Sequence, residues 1–349
     1  MSPNPSTDQS YPRNQWYAAG WSRELSTPIL RRKLLGRELA IFRDSKGALA
    51  AIDACCPHRG ADLGYGKLID GELECPFHGW RFNGEGQCTA VPSQPKEDAI
   101  PPGAKAERYR IREQQGLLWI WMGKSEPDPP LPRRWDFWEP QTKSRRIDLD
   151  AQKWSAGYVP VVEQTIDEAH PAFVHKRTLP ERGEALVPAL RIVEDEDGKG
   201  FRWEKAPQDQ AATQSADPFW RRFVREKIQG IVGPEQERYS RLEQGGILHL
   251  HVLYADHRWD TLIFAITPRD EESSWSFVSS VRTRATHFLG EILQRRFLKN
   301  LVEDDLELAE NLLEKKAGGF PTRVSVRADA PSLVFRRLHS SWIKKEEGS

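Results

Sequence analysis

Short apolar runs bounded by glycine and polar residues fill residues 28–122. The runs RELAIFRD (37–44) and ALAAIDA (48–54) flank the polar triplet SKG, which indicates a β-hairpin. The run GLLWIWM (116–122) is rich in residues that favour strands. This part of the chain is therefore predicted to be a small all-β domain.

The second half of the chain has a different pattern. Apolar residues recur with helical periodicity over 158–176. Strand-like runs separated by short polar turns predict an antiparallel meander at 246–254, 260–268 and 274–283. A single long amphipathic helix is predicted to close the pattern from about 286 to 317, where Gly318 and Gly319 end it. The chain is therefore predicted to be α+β, with helices packed on an antiparallel sheet.

Composition along the chain indicates two boundaries. The polar, Pro- and Ser-rich residues 1–13 are predicted to form a disordered tail. Five prolines between 123 and 140 mark a change of domain. We therefore expect one domain over 14–125 and a second over 126–349. Within the second, the irregular stretch 204–240 is a candidate loop over an active site.

Charge and cysteine content exclude several classes of function. The 51 basic side chains balance 51 acidic ones, so charge gives no support for a nucleic-acid or an anionic-membrane partner. The apolar runs are too short to cross a bilayer. Four unevenly spaced cysteines in 349 residues do not resemble a disulfide framework. We therefore expect a cytoplasmic protein.

Three of the four cysteines lie beside histidines. Cys56 and His58 form a C-x-H pair, and Cys75 and His78 form a C-x-x-H pair further along the chain. Two thiolates and two imidazoles on two loops bind either zinc or an iron–sulfur cluster. The neighbouring prolines and glycines are suited to tight loops that present side chains and N–H groups to one point. Cys55 is a rival to Cys56 only if the first loop pairs as C-x-x-H.

A second set of candidate ligands lies in the stretch with helical periodicity. Gln164, Asp167 and His170 follow one another at intervals of three and share a polar helical face. His175 comes five residues after His170, a spacing that an unbroken helix would turn away. Pro171 is expected to break or widen the helix there and to bring the two imidazoles together.

A carboxylate in the predicted long helix completes this set. Every helical neighbour of Asp305 at offsets of three, four and seven is apolar, so its side chain is expected to face the buried stripe. A buried carboxylate without a partner is costly, and coordination to a metal removes that cost. Asp304, with half-polar neighbours, is the second choice. His249 and His251 are rival ligands on one face of a predicted strand, where they either occupy ordinary sheet positions or line a substrate pocket.

His170, His175 and Asp305 together form a 2-His-1-carboxylate set, which is typical of non-haem Fe(II) oxygenases. In such sites the coordination positions that the protein leaves open are where dioxygen binds. The sequence therefore contains two candidate metal centres, one in each predicted domain.

The loops CPHRGA (56–61) and CPFHGWRFNGEGQC (75–88) closely resemble the Rieske [2Fe–2S] domain. That resemblance implies that the two paired cysteines bind one iron and the two paired histidines bind the other. Over about residues 14–340 the chain resembles the α subunit of Rieske non-haem iron oxygenases, most closely the short monooxygenase branch that includes vanillate demethylase and dicamba monooxygenase. The resemblance implies a helix-grip-like catalytic domain. Members share N-x-x-D-x-x-H-x4-H, and here Gln164 replaces the asparagine that lies near the iron.

The same resemblance implies partners and a reaction. A separate NAD(P)H-dependent flavin reductase, possibly with a ferredoxin, is expected to supply electrons for the hydroxylation or demethylation of a small organic, aromatic or cyclic substrate by O₂. Members form head-to-tail homotrimers, in which His78 of one subunit is expected to face His170 of the next, with Asp167 as the bridge. The alternative is a Rieske electron-transfer protein without oxygen chemistry of its own.

Overall fold

The computed structural model of the chain describes residues 11–124, 129–134, 144–175, 178, 186–205, 235–313 and 324–347. The chain divides into two compact units. The N-terminal unit is Arg13–Pro132, and the C-terminal unit is Arg133–Ser349 together with Met1–Pro12. Most of the predicted tail lies outside the described residues, and so does much of the Pro-rich stretch. The boundaries inferred from composition stay predictions.

The described part of the N-terminal unit is built from short antiparallel strands. They are β1 Trp16–Trp21, β2 Ile29–Leu34, β3 Arg37–Arg43, β4 Leu49–Asp53, β5 Lys67–Ile69, β6 Glu72–Glu74, β7 Arg81–Phe82, β8 Cys88–Ala90, β9 Arg110–Gln114 and β10 Leu117–Trp121. Three sheets result, with the strand orders β1-β10-β9, β2-β3-β4 and β5-β6-β7-β8. The predicted hairpin is β3–β4, and every residue of β10 is buried.

The core of this unit reaches the loops that carry the first candidate ligands. Phe42, Leu73 and Phe82 are fully buried, and the side chains of Cys56 and Cys75 belong to the same apolar cluster. The two thiols therefore lie on the inner side of their loops. This placement follows from the short strands on either side, which anchor both loops to one core.

The C-terminal unit is a sheet with helices, as the α+β prediction requires. Its described strands are β11 Arg145–Asp148, β12 Gln152–Trp154, β13 Leu190–Glu194, β14 Gly200–Lys205, β15 Glu235–Glu243, β16 Ile247–Tyr254, β17 Trp259–Asp270 and β18 Ser273–Arg282. The order across the sheet is β11-β18-β17-β16-β15-β14-β13, with β12 also paired to β18. All pairs are antiparallel, and the predicted meander is β16–β17–β18.

The helices of this unit differ from the prediction in two places. They are α1 Tyr158–Ile166, α2 Pro171–Val174, α3 Phe288–Asn311 and α4 Ala330–Glu347. The predicted helix over 158–176 is interrupted, because Asp167 adopts an extended conformation and ends α1. The predicted long helix is α3, but it does not close the pattern, since α4 follows it. Gly318 and Gly319 lie outside the described residues.

The stretch 204–240, expected to be irregular, is partly regular. Strand β14 continues to Lys205 and β15 begins at Glu235. Residues 206–234 lie outside the described part of the chain, so the expected loop over the active site stays a prediction. Strands β13 to β15 extend the sheet well beyond the meander.

One face of the sheet contacts the segments that carry the second set of candidate ligands. A row across this face consists of Trp203, Ser240, Leu250, Leu262 and Ser280. The Trp203 indole donates a hydrogen bond to Glu168, between α1 and α2, at 2.8 Å. At the other end of the row, Gln294 of α3 donates to the Ser280 hydroxyl at 3.3 Å. We call this the helix-facing side of the sheet.

Among the described residues, no helix is both long enough and apolar enough to cross a membrane.

Candidate metal centres

The two loops of the N-terminal unit repeat one hydrogen-bond pattern. In the first, the amide of Cys56 donates to the carbonyl of Ala61 at 2.9 Å, and Gly60 donates back to the Cys56 carbonyl at 2.8 Å. In the second, Cys75 donates to Trp80 at 2.8 Å, and Gly79 donates back to Cys75 at 3.1 Å. Each cysteine thus begins a tight turn of the same size.

A glycine with positive φ closes each of these turns. Gly60 has φ +73° and Gly79 has φ +69°. This conformation is energetically unfavourable for residues that have a side chain. The result is that each loop directs a cysteine inward and a histidine outward. The rings of His58 and His78 meet with their centroids 4.6 Å apart. The loops therefore bring two thiols and two imidazoles together, as the C-x-H and C-x-x-H spacing suggested.

The electrostatics of this centre fit a metal cluster. Burial raises the pKa of the Cys56 thiol to about 11, and the adjacent Cys75 thiol adds to this rise. Without a bound cation the thiolate is therefore disfavoured, whereas coordination to a metal deprotonates a thiol outright. Desolvation and the nearby His78 lower the pKa of His58, which favours the neutral imidazole that metals bind. Cys55, the rival to Cys56, is exposed.

Trp80 is a neighbour of this centre whose contact could not be predicted. Its indole stacks flat on the His58 ring, with centroids 4.5 Å apart and 2° between the planes. The stacking fixes the orientation of one imidazole from the opposite loop. Its position two residues after His78 is the only signal that the sequence offers.

The second centre joins α1, α2 and α3 of the C-terminal unit. One oxygen of Asp305, Oδ1, lies 3.5 Å from His170 Nε2 and 3.3 Å from His175 Nε2. One ligand atom from each of the three residues lies within 4.8 Å of the other two. His175 is only 2% exposed and Asp305 only 6%. Three donors of the 2-His-1-carboxylate type thus converge on one buried point.

The break between α1 and α2 is what positions His170. Asp167 ends α1, and its Oδ1 accepts the backbone N–H groups of Ala169 at 2.6 Å and His170 at 3.2 Å. Helix α2 then begins at Pro171, a residue that suits the first helical position. The interruption therefore lies before His170 rather than between the two histidines, where the sequence predicted it.

The turn also selects the tautomer of His170. Its Nδ1 lies 2.9 Å from the backbone carbonyl of Asp167, an atom that only accepts. We assign a proton to Nδ1 for this reason, so Nε2, which faces Asp305, is the ring nitrogen available to a metal. This is the arrangement that a metal ligand requires.

Gln164, which was expected near the iron, is hydrogen-bonded to Asp305. Its amide Nε2 donates to the backbone carbonyl of Asp305 at 2.9 Å and to Oδ1 at 3.2 Å. Its Oε1 is buried and accepts no hydrogen bond from the described residues. A buried acceptor without a partner is costly, so a donor such as bound water fits this place.

The charges at this site support each other. Burial opposes protonation of His170, but the Asp305 hydrogen bond and the charges of Asp305 and Asp167 outweigh it and raise the pKa. Burial likewise opposes ionisation of Asp305, but the hydrogen bonds from His170 and His175 prevail and lower its pKa. The carboxylate is thus held in the ionised form that binds a cation. The donor set, its burial and its convergence all fit a divalent iron.

The rivals to these ligands lie elsewhere. His249 belongs to the row Arg202, Arg241, His249, Ile263 and Ser279, which is adjacent to the helix-facing row and therefore lies on the opposite side of the sheet. His251 lies on that side too, with its Nδ1 2.7 Å from the Thr261 hydroxyl. Burial lowers the pKa of His249 to about 3. The structure therefore gives these two residues ordinary sheet positions and argues against a role in lining the pocket.

Asp304 was expected at a half-polar solvent edge, but it is only 8% exposed. Its Oδ2 lies 3.5 Å from His175 Nδ1 and accepts a hydrogen bond from Thr178 at 3.0 Å. It is therefore beside the centre without sharing the point on which the three other groups converge.

Comparison with known protein families agrees with this two-centre arrangement. Residues 15–109 match the Rieske [2Fe-2S] domain, and residues 154–345 match the vanillate O-demethylase oxygenase C-terminal domain. The second match covers more than half of the chain.

Individual curated proteins are similar to this chain in sequence. The oxygenase component of chloroacetanilide N-alkylformylase from Rhizorhabdus wittichii is 35% identical over 191 residues, covering 53% of this chain and 52% of the relative. The oxygenase component of dicamba O-demethylase from Stenotrophomonas maltophilia is 39% identical over 122 residues, covering 35% of this chain and 34% of the relative. The chain spans about a third to a half of the length of the curated relatives it matches.

The fold is that of NdmA with caffeine from Pseudomonas putida CBB5. The TM-score is 0.78 at 24% identity, and the match covers 96% of this chain and 92% of that one. At this identity the likeness describes the fold.

Proposed function

This chain belongs to the family of the vanillate O-demethylase oxygenase C-terminal domain, and we propose that it is the oxygenase component of a multicomponent Rieske oxygenase. It uses O₂ and electrons from NAD(P)H to hydroxylate or demethylate a small organic molecule, aromatic or cyclic. A separate flavin reductase, directly or through a ferredoxin, delivers the electrons. The observation that carries this proposal is the convergence of His170, His175 and Asp305, because an electron carrier needs only the cluster.

The residues of the first centre would bind the cluster with its cysteine side buried and its histidine side toward the surface. Cys56 and Cys75 hold it from the buried side, and His58 and His78 hold it from the outer side, where His78 is exposed. A cluster held there would supply single electrons for oxygen chemistry at an iron held by the second centre. Outward imidazoles suit electron exchange with another molecule.

The residues of the second centre bind and orient the iron. His170, His175 and Asp305 would supply three ligands to an iron, a set that in non-haem iron oxygenases leaves positions for other ligands. Gln164 fixes the carboxylate, and its free Oε1 is an acceptor for a proton donor near the metal. Burial excludes bulk water, which strengthens the electrostatic interactions inside the site.

Asp167 is part of the proposal as the bridge between subunits. Its Oδ1 caps the turn, while Oδ2 accepts no hydrogen bond from the described residues. A free carboxylate oxygen beside His170 suits an incoming imidazole N–H, such as that of His78 from a neighbouring copy. A head-to-tail homotrimer supplies this contact and closes a ring.

The class of substrate is proposed from the relatives. They are named chloroacetanilide N-alkylformylase and dicamba O-demethylase, and from these names we infer a substrate with an alkyl group on nitrogen or oxygen. The helix-facing side of the sheet carries apolar residues such as Leu250 and Leu262, which suit such a substrate. A cytoplasmic location is also proposed, because four unevenly spaced cysteines in a chain of this size do not resemble a disulfide framework.

Nitric oxide separates the oxygenase from an electron carrier without knowledge of the substrate. It is a stand-in for dioxygen and binds ferrous iron that has an open position. Anaerobic, iron-loaded and reduced protein is expected to give the half-integer, high-spin electron paramagnetic resonance signal of such a complex. His175→Ala should lose that signal and keep the cluster spectrum. An iron-replete protein without the signal would show that the chain is only a carrier. Substrates can then be sought by the oxygen uptake that they stimulate with a surrogate reductase.

A further inference from the structure

We propose that Asp304 is a positioning residue for His175, which holds the imidazole in the tautomer that presents Nε2 to the metal. This inference rests on the proposed function, since it assumes an iron at the second centre. It assigns a role to a carboxylate that is adjacent to a ligand but does not join the ligand set.

The geometry places the His175 ring between two consecutive carboxylates of α3. Asp305 Oδ1 lies 3.3 Å from Nε2, and Asp304 Oδ2 lies 3.5 Å from Nδ1. Adjacent residues of a helix point about 100° apart, so the two side chains reach opposite edges of one imidazole. Asp304 therefore cannot share a metal that is bound at Nε2, and the edge it faces carries the other ring nitrogen.

Burial makes this contact important. His175 is 2% exposed, and its Nδ1 has no hydrogen-bond partner among the described residues. The distance of 3.5 Å is about 0.3–0.5 Å longer than an ordinary hydrogen bond. Asp304 thus offers a carboxylate acceptor to the proton that must lie on Nδ1 when Nε2 binds iron.

Thr178 fixes the carboxylate in this place. Its hydroxyl donates to Asp304 Oδ2 at 3.0 Å, the same oxygen that faces His175. The chain thereby connects a threonine after α2, a carboxylate of α3 and a histidine at the end of α2. Two segments that are distant in sequence thus form one supporting contact.

The two histidine ligands are supported differently. His170 Nδ1 lies 2.9 Å from a neutral backbone carbonyl, that of Asp167, whereas His175 Nδ1 faces a carboxylate. The two supports therefore differ in charge, and only that of His175 comes from a side chain on another helix.

The test compares retention of the mononuclear iron among variants of the full chain that contain both the cluster and that iron. Asp304→Leu removes the acceptor and keeps a buried side chain of similar size. It should release ferrous iron to a chelator about 10- to 100-fold faster than the unaltered protein. Asp304→Asn keeps an acceptor oxygen and should show a smaller change, and Thr178→Val should lie between. Glu303→Gln, at an exposed neighbouring position, is the matched control and should match the unaltered chain.

A spectroscopic measurement distinguishes positioning from general damage to the fold. Cobalt(II) substituted at the second centre should show shifted visible bands in Asp304→Leu and unchanged bands in Glu303→Gln. The cluster absorbance of each variant reports folding. If Asp304→Leu does not fold, Asp304→Asn and Thr178→Val decide through the same two readouts.

Two failures can be told apart. If the unaltered chain retains no iron beyond the cluster, the proposed function fails. If it retains that iron, and the folded Asp304 variants hold it equally tightly with unchanged cobalt bands, only the role of Asp304 is overturned.

Discussion

At the scale of single residues, an apolar environment was the most informative signal. The neighbours of Asp305 along the helix pointed to its burial, and the structure gives it 6% exposure. The same reasoning was wrong for Asp304, because its environment is set by Thr178 and His175, which precede it by more than a hundred residues. Helical periodicity predicts which residues share a face of the helix, but not which side chains from other segments pack against that face.

The carboxylate of Asp167 has two roles that a pair of substitutions separates. Asp167→Ala should leave the Rieske absorption intact and slow reoxidation of the reduced cluster by O₂ by at least about 100-fold, because it removes both the cap and the bridge. Asp167→Asn keeps an oxygen that can cap the turn but lacks the negative charge. Asp167→Asn should retain the mononuclear iron, and reoxidation of its reduced cluster should still be slow. Stopped-flow absorbance measures both rates, and near-normal reoxidation in Asp167→Ala would refute the bridge.

At the scale of elements, the sequence located the second centre but misplaced its break. Pro171 was expected to interrupt a helix, yet it begins α2, because a proline lacks only an N–H that is unsatisfied at the first helical position. The interruption comes from Asp167, whose side chain replaces the backbone bonds of the turn. Helix α4 was missed because its Pro331 and Ser332 resemble a break, although both lie in its first turn.

The packing of α4 on α1 predicts acid sensitivity. His339 lies with its ring centroid 5.8 Å from that of Tyr158, and burial lowers its pKa to about 4. In the unfolded chain the His339 imidazole takes up a proton near pH 6.5, but in the folded chain it does so only near pH 4. The contribution of neutral His339 to stability is therefore complete above pH 6.5 and is lost as the pH falls toward 4. His339→Phe should reduce the loss of unfolding free energy by about 3 kcal/mol between pH 7 and pH 4. Urea titrations at several pH values measure this, and parallel losses in both proteins would contradict it.

At the scale of the whole molecule, the α+β class and the meander could be predicted, but the full sheet could not. Strands β16 to β18 contain apolar runs separated by short polar turns, which makes them visible in a single sequence. Strands β13 and β15 have exposed and charged positions, such as Arg191 and Glu237, and resemble loops. Their pairing depends on partners across the sheet, which local pattern does not report.

The family match and the geometry support a single account from independent directions. One match covers the loops with Cys56 and Cys75, and the other covers the segment from which His170, His175 and Asp305 come. Neither the spacing of the histidines nor the apolar setting of the carboxylate alone would identify an oxygenase. Their convergence supports the proposed oxygenase, because a buried 2-His-1-carboxylate set has a narrow range of uses.

Iron and acid-labile sulfide, counted in the unaltered protein and in His175→Ala, test the presence of two separate centres most directly. The unaltered chain should contain about three irons and two sulfides, a [2Fe–2S] cluster plus one iron. His175→Ala should contain about two of each and keep the visible spectrum of the cluster. Two irons in both proteins, or a third iron that survives the substitution, would contradict the account.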